Sequence, residues 1–154
     1  LSTLHTNDAV STITRLINMG IAPYLITSSL TLIVAQRLAR IICTNCKTED
    51  ETVAQSELAS IGFKSAESSR ITLYHGKGCS KCKKTGYKGR KGIYEVLRIT
   101  DNIKDGILKN LTTPELLKIA KEKDSFSTMQ EVGRGFLMQG SISLEEYKRV
   151  LMVE

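Results

Sequence analysis

The sequence predicts a mainly α-helical chain interrupted near its middle by a small insert of loops and short strands. Three observations carry that expectation. Apolar residues recur at helical spacing, bracketed by capping residues, ahead of Cys43; the same texture returns after Thr100; and between them lie two cysteine pairs, six of the eleven glycines and a crowd of lysines. At 154 residues, with 41% hydrophobic and 25% charged residues, the chain has the composition of an ordinary folded domain and not of a disordered segment.

The elements follow in order. Asn7 or Asp8 caps a first helix whose apolar positions Val10, Ile13, Leu16 and Ile17 share one face, and Gly20 stops it. Pro23 suits the first turn of a second helix, expected to run through Leu25, Leu30, Ile33 and Val34 toward Cys43 as a heavily buried element. That stretch is interrupted by Thr27, Ser28, Ser29, Thr31, Gln36, Arg37 and Arg40, so it is not a membrane span. Within the insert, Ser56 to Ile61 forms one short helix, and Ile71 to Tyr74 and Ile93 to Ile99 are extended. Beyond Thr100, Thr113-Pro114-Glu115 starts one helix and Ser127 to Gln130 caps another that ends at Gly140. Ser143 to Glu146 repeats the capping-box signature.

Cys43-x-x-Cys46 and Cys79-x-x-Cys82 have the spacing of two knuckles that bring four sulfurs to one ion. Four thiolates favour zinc over magnesium or calcium, and a closed shell of cysteines leaves no position for an activated water, so the expected zinc is structural. An iron–sulfur cluster is the other metal that four cysteines suit, and a redox-sensing thiol switch is the metal-free alternative. The insert is too thinly apolar to hold itself together without such a cross-link. The fold class is then mainly α with a small zinc-bound β/loop insert.

The chain carries a formal charge of +6. Lys77, Lys81, Lys83, Lys84, Lys88, Arg90 and Lys91 crowd the second knuckle, where their field favours thiolates and suits anionic partners. Only Tyr87 and Tyr94 lie nearby as stacking surfaces, and aromatic residues make up just 5% of the chain, which weakens a base-binding role. Of the two histidines, His75 precedes Gly76 at a strand end. His5 heads the polar turn Thr6-Asn7-Asp8 before a helix, whose free backbone amides suit a phosphate. No Gly-x-x-x-x-Gly-Lys-Ser/Thr, His-Glu-x-x-His or Ser/His/Asp pattern occurs, so this chain alone has no complete active site.

The run Ser2-Thr3-Leu4-His5-Thr6-Asn7-Asp8-Ala9 resembles the histidine box of the type II secretion and type IV pilus assembly ATPases. Thr14-Arg15-Leu16, Met19-Gly20 and Ala35-Gln36-Arg37-Leu38-Ala39-Arg40 follow at that family's spacing, as does Gly78-Cys79-x-x-Cys82-x-x-Thr85-Gly86-Tyr87-x-Gly89-Arg90-x-Gly92-Ile93-Tyr94-Glu95. The wording from Asn18 to Cys46 is nearest the pilus-extension branch. The resemblance implies the C-terminal remnant of a RecA-like α/β motor domain, with residues 1–42 closing the ATPase core, 43–95 forming the metal-binding subdomain and 96–154 a helical bundle. It implies a cytoplasmic protein, peripheral to the bacterial inner membrane, whose full-length form is a homo-hexamer. That form uses ATP and Mg2+ and works with inner-membrane pilus or secretion platform proteins, with no specific nucleic acid. By similarity His5 senses the nucleotide γ-phosphate, Thr6, Asn7 and Asp8 shape its turn, Arg37 is a candidate nucleotide-domain contact, and Cys43, Cys46, Cys79 and Cys82 hold Zn2+. The competing reading is a stand-alone zinc-ribbon module that binds nucleic acid through its lysines.

Overall fold

The computed structural model describes residues 2–4, 6–64 and 71–152. Among the described residues the chain has seven α-helices, one short 3-10 turn, and four strands in two two-stranded sheets. The helices are α1 (Ala9–Asn18), α2 (Pro23–Ser29), α3 (Gln55–Ser60), α4 (Asp101–Leu108), α5 (Thr113–Lys123), α6 (Met129–Met138) and α7 (Leu144–Leu151). The strands are β1 (Leu32–Ile42), β2 (Lys47–Glu49), β3 (Tyr74–Gly76) and β4 (Tyr87–Arg98), with β1 paired to β4 and β2 to β3.

The local punctuation reads as the sequence predicts. Asp8 is the N-cap of α1, its carboxylate accepting from Ser11 N at 2.7 Å. Pro23 opens α2, Thr112 and Glu115 close a capping box on α5, and Ser143 Oγ accepts from Glu146 N at 3.2 Å to cap α7.

The long second helix is not there. After seven residues α2 gives way to β1, an eleven-residue strand that runs to the first knuckle. The strand uses a two-residue period that parts Ile33 from Val34, two positions the helical reading put together. Ile33 and Ala39 are buried, Ala35 and Arg37 half-buried, and Leu32, Val34, Gln36 and Leu38 exposed. Pairing decides it: Ile99 N donates to Thr31 O at 3.0 Å and Cys43 N to Gly86 O at 2.9 Å, so residues far apart in sequence supply the partner that no local pattern reveals. Nor is α2 heavily buried, since Ile26 is its single buried side chain and Tyr24 is 64% exposed.

The chain divides into two compact units, each discontinuous in sequence: residues 1–36 with 94–129, and residues 37–93 with 130–154. In the first, α1 packs on α5 and α2 on α4 around Val10, Ile13, Ile26, Leu97, Ile103 and Leu116. One charged side chain lies in that core. Glu95 is 2% exposed and accepts from Ala9 N at 2.7 Å and Met129 N at 2.8 Å, so its two oxygens satisfy the first backbone amides of two helices.

In the second unit, Ile42, Phe63, Leu73, Ile93, Leu137, Ile142 and Tyr147 are buried. β2 and β3 pair antiparallel with Lys47 opposite Gly76 and Glu49 opposite Tyr74. A second buried carboxylate fixes β1 to α7. The Glu146 side chain is 0% exposed and accepts from Arg40 N (2.7 Å), Arg40 Nε (2.9 Å) and Arg149 Nε (2.8 Å), with Arg40 Nη2 at 2.7 Å. Burial alone would raise its pKa, but the Arg149 and Arg40 guanidiniums hold it down at about 2. Arg40 in turn lies 4.1 Å over the Tyr87 ring, and Tyr87 OH shares a 2.6 Å hydrogen bond with Ser143 Oγ.

Candidate metal centre

The four cysteines come together at the end of β1 and the start of β4. Cys43 follows the last residue of β1, and Cys46 N closes the first knuckle on Cys43 O at 3.1 Å. Lys77 N donates to Cys46 O at 3.0 Å, tying the first knuckle to the strand leading into the second. Cys79 opens the 3-10 turn Ser80–Cys82, and Lys84 N returns to Cys79 O at 2.8 Å through Lys83 and Lys84, both left-handed with φ of 53° and 62°. Glycine is required beside this turn. Gly78 and Gly86 have φ of 88° and 78°, and a Cβ on them would stand 2.6 Å from Lys84 O and 2.4 Å from Gly76 O.

The ligand atoms of these four cysteines all lie within 4.8 Å of one another. Sγ separations are 3.9 Å for Cys43–Cys79, 3.8 Å for Cys46–Cys82 and 3.7 Å for Cys79–Cys82. A zinc–sulfur bond of about 2.3 Å gives a tetrahedral edge of about 3.8 Å, so the spacing fits one tetrahedral ion and is far beyond a disulfide bond. All four are free cysteines, Cys43 and Cys82 buried and the other two half-buried. No other cluster of three or more such ligands occurs among the described residues.

Backbone and side-chain donors surround the sulfurs. Cys82 Sγ accepts from Cys79 N at 3.1 Å and Gly86 N at 3.3 Å, and Cys79 Sγ from Asn45 Nδ2 at 3.4 Å. The Cys79 N–H pulls the Cys82 thiol down to about 6 against burial, with the Gly86 N–H assisting. Burial pushes Cys46 the other way, up to about 12, the Gly78 N–H opposing and the neighbouring sulfurs adding to the rise. Neighbouring N–H donors thus lower Cys79 and Cys82 against burial, while burial raises Cys46. A divalent cation at the centre removes that conflict, because it stabilises every thiolate at once.

Around the centre, Lys77, Lys81, Lys83, Lys84, Lys88, Arg90 and Lys91 are all exposed. His75 lies on β3 opposite Thr48, its Nδ1 buried without a hydrogen bond and 3.6 Å from Asp50 Oδ2. His5 lies outside the described residues. Its neighbours are wired into the start of α1: Thr6 Oγ1 meets Thr12 Oγ1 at 2.7 Å, and Asp8 O accepts from Thr12 Oγ1 at 3.0 Å. Asn7 is exposed beside them, and Arg37 is half-buried on β1. The structure therefore unites the cysteines, and sets Thr6 and Asp8 at one helix start.

Two functional-looking carboxylates escaped the sequence reading. Glu95 falls on the inward side of β4 with Ile93, Leu97 and Ile99, and an acid in register with three core positions is the signal that marks it. Glu146 reads as half of a capping box, yet its side chain turns away to Arg40, 106 residues distant, which no local pattern announces.

No helix among the described residues is long and apolar enough to cross a membrane. Comparison with known proteins places the chain. A family model described as type II/IV secretion system protein matches residues 1–149. Over 146 residues the chain is 42% identical to the type IV pilus assembly ATPase PilB of Myxococcus xanthus, covering 95% of this chain and 26% of that protein. It is 43% identical over 150 residues to PilB of Pseudomonas aeruginosa, covering 97% of this chain and 26% of that protein. Over 154 residues it is 38% identical to type II secretion system protein E of P. aeruginosa, covering all of this chain and 30% of that protein. The chain spans less than a third of the length of these curated relatives. With the match running through nearly every residue of the sequence, the chain belongs to the type II/IV secretion system protein family.

Proposed function

We propose that this chain is the zinc-bearing C-terminal part of a motor ATPase that powers type IV pilus assembly or type II protein secretion, nearest the pilus-extension branch. The observation that carries the reading is the identity of 38% to 43% across 95% or more of the chain to relatives named as pilus assembly ATPase and type II secretion protein E. In this reading residues 1–42 close a RecA-like core, 43–95 form the metal-binding segment and 96–154 a helical one. The parent protein is a hexamer on the cytoplasmic side of the inner membrane and engages membrane platform proteins. Zinc is the metal the thiolate set and the 3.7 Å to 3.9 Å sulfur spacing support, and its role is structural. The stand-alone nucleic-acid module is not favoured, because the family match extends through residues 1–149 instead of stopping at the cysteine insert.

ATP and Mg2+ belong to the longer protein, since this chain's sequence carries no loop to cradle the β- and γ-phosphates. There His5 senses the γ-phosphate from the turn that Thr6, Asn7 and Asp8 shape, and Arg37 contributes to the nucleotide domain's contacts. The test is made on the longer protein. His5→Ala is expected to lower ATP turnover sharply with ADP affinity and melting temperature unchanged. Normal turnover with a lowered melting temperature would end the sensing role.

A further inference from the structure

Three arginines of the second unit line one open surface cavity. Leu38, Arg40, Arg90 and Arg149 enclose about 350 Å³, and a neighbouring depression of about 260 Å³ shares Arg40 and Arg90 with Thr85, Tyr87 and Gly89. Such a concentration of like charge is held in place by buried structure. Glu146, 0% exposed, takes Nε and Nη2 of both Arg40 and Arg149, and the Tyr87 ring stacks on Arg40. Each guanidinium therefore has its inner edge, Nε and Nη2, fixed by Glu146. Arg90 is exposed, and its side chain has no hydrogen bond or ion pair among the described residues. Glu146 offsets one of the three positive charges and Glu145, whose Oε2 lies 3.5 Å from Tyr87 OH and whose field reaches Arg149, offsets part of another, which leaves a cavity with positive charge in excess and guanidinium N–H donors held in place by their partners.

We propose that this cavity binds a phosphoryl dianion, with Arg40 and Arg149 as the fixed arms and Arg90 as the free one. The number and placement of the donors select the ligand class. A carboxylate is satisfied by one bidentate arginine, whereas a phosphate dianion accepts donors from three directions, as three guanidiniums around one cavity supply them. Open access, with no carboxylate among the residues that line the cavity, suits a phosphate carried on a larger molecule, either a soluble phosphomonoester or a lipid head group. This inference stands on the arginine geometry and does not depend on the motor reading.

The test is titration of the zinc-loaded 154-residue chain with inorganic phosphate at low ionic strength, followed by calorimetry. A parallel arm measures cosedimentation with vesicles containing phosphatidic acid in phosphatidylcholine. Saturable one-to-one binding is expected, weakened about tenfold by Arg90→Gln and unchanged by Lys88→Gln, which removes the same charge from an exposed lysine outside the cavity. Arg90 has no partner to lose, so its variant is expected to melt with the parent. Arg149→Gln is a second arm, judged only at temperatures where it is folded. Binding of free phosphate identifies a soluble source, and binding of the vesicles alone identifies the lipid; either supports the site. Absence of saturable binding in both arms overturns the proposal, as does an equal loss from Arg90→Gln and Lys88→Gln. Tighter binding of poly-glutamate than of either phosphate probe overturns it too, in favour of an acidic protein surface.

Discussion

Replacing Glu146 by Gln removes one negative charge and keeps the side chain's shape. The carboxylate is 0% exposed and receives four hydrogen bonds from the Arg40 and Arg149 side chains and the Arg40 amide between 2.5 Å and 2.9 Å. A pKa held at about 2 against an ordinary 4.5 corresponds to about 3 kcal/mol of preference for the charged form in the folded chain. The arginine side chains are 38% and 52% exposed, so solvent screening trims that figure, and we expect the variant to lose about 2 to 3 kcal/mol. The control is Glu57→Gln. Its 2.6 Å pair with Lys148 joins side chains 41% and 38% exposed, and its loss is expected to move the urea midpoint much less than Glu146→Gln does. Urea midpoints of the zinc-loaded proteins at neutral pH make the comparison. The pH dependence has a definite sign. Because the folded pKa lies below the ordinary value, the Glu146 contribution is complete above about 4.5 and is lost as the pH falls toward about 2. Taking the difference between parent and variant at each pH cancels metal release, which affects both. Equal urea midpoints for Glu146→Gln and Glu57→Gln would refute the reasoning.

Two glycines predict opposite outcomes. Gly86→Ala places a Cβ 2.4 Å from Gly76 O at a φ of 78°, so the knuckle must open, with metal content and melting temperature falling together, whereas Gly135→Ala in α6 meets nothing within 4 Å and is expected to stabilise by about 0.5 to 1 kcal/mol in urea denaturation. Asp8→Ala removes the N-cap of α1 and is expected to cost about 1 kcal/mol by the same measurement. Asp8→Asn, which keeps the acceptor, is expected to recover most of it.

The caps were legible because they are local. Asp8 and Ser143 each accept from a backbone amide within a turn of themselves, and Pro23 lacks the N–H that a first-turn residue would leave unpaired, so the sequence window contains all that is needed. The cysteine cluster was legible for a related reason: each knuckle is a local turn, and only the meeting of two knuckles is long-range. β1 was misread because Leu30, Ile33 and Val34 have helical spacing, while the strand is decided by a partner near residues 86–99 that puts Ile33 inward and Val34 outward. The Glu146–Arg40 lock and the inward Glu95 were missed for the same physical reason. A buried charge is tolerated only by its partners, and those lie in other elements.

A zinc ion held by Cys43, Cys46, Cys79 and Cys82 is open to X-ray absorption at the zinc edge, on protein purified without a metal-affinity step and assayed for metal per chain. The prediction is one zinc per chain with four sulfur neighbours at about 2.3 Å, and loss of ordered structure around residues 43–95 when a chelator strips it. Folded protein that carries no metal, or a zinc bound by oxygen and nitrogen in place of sulfur, would contradict it.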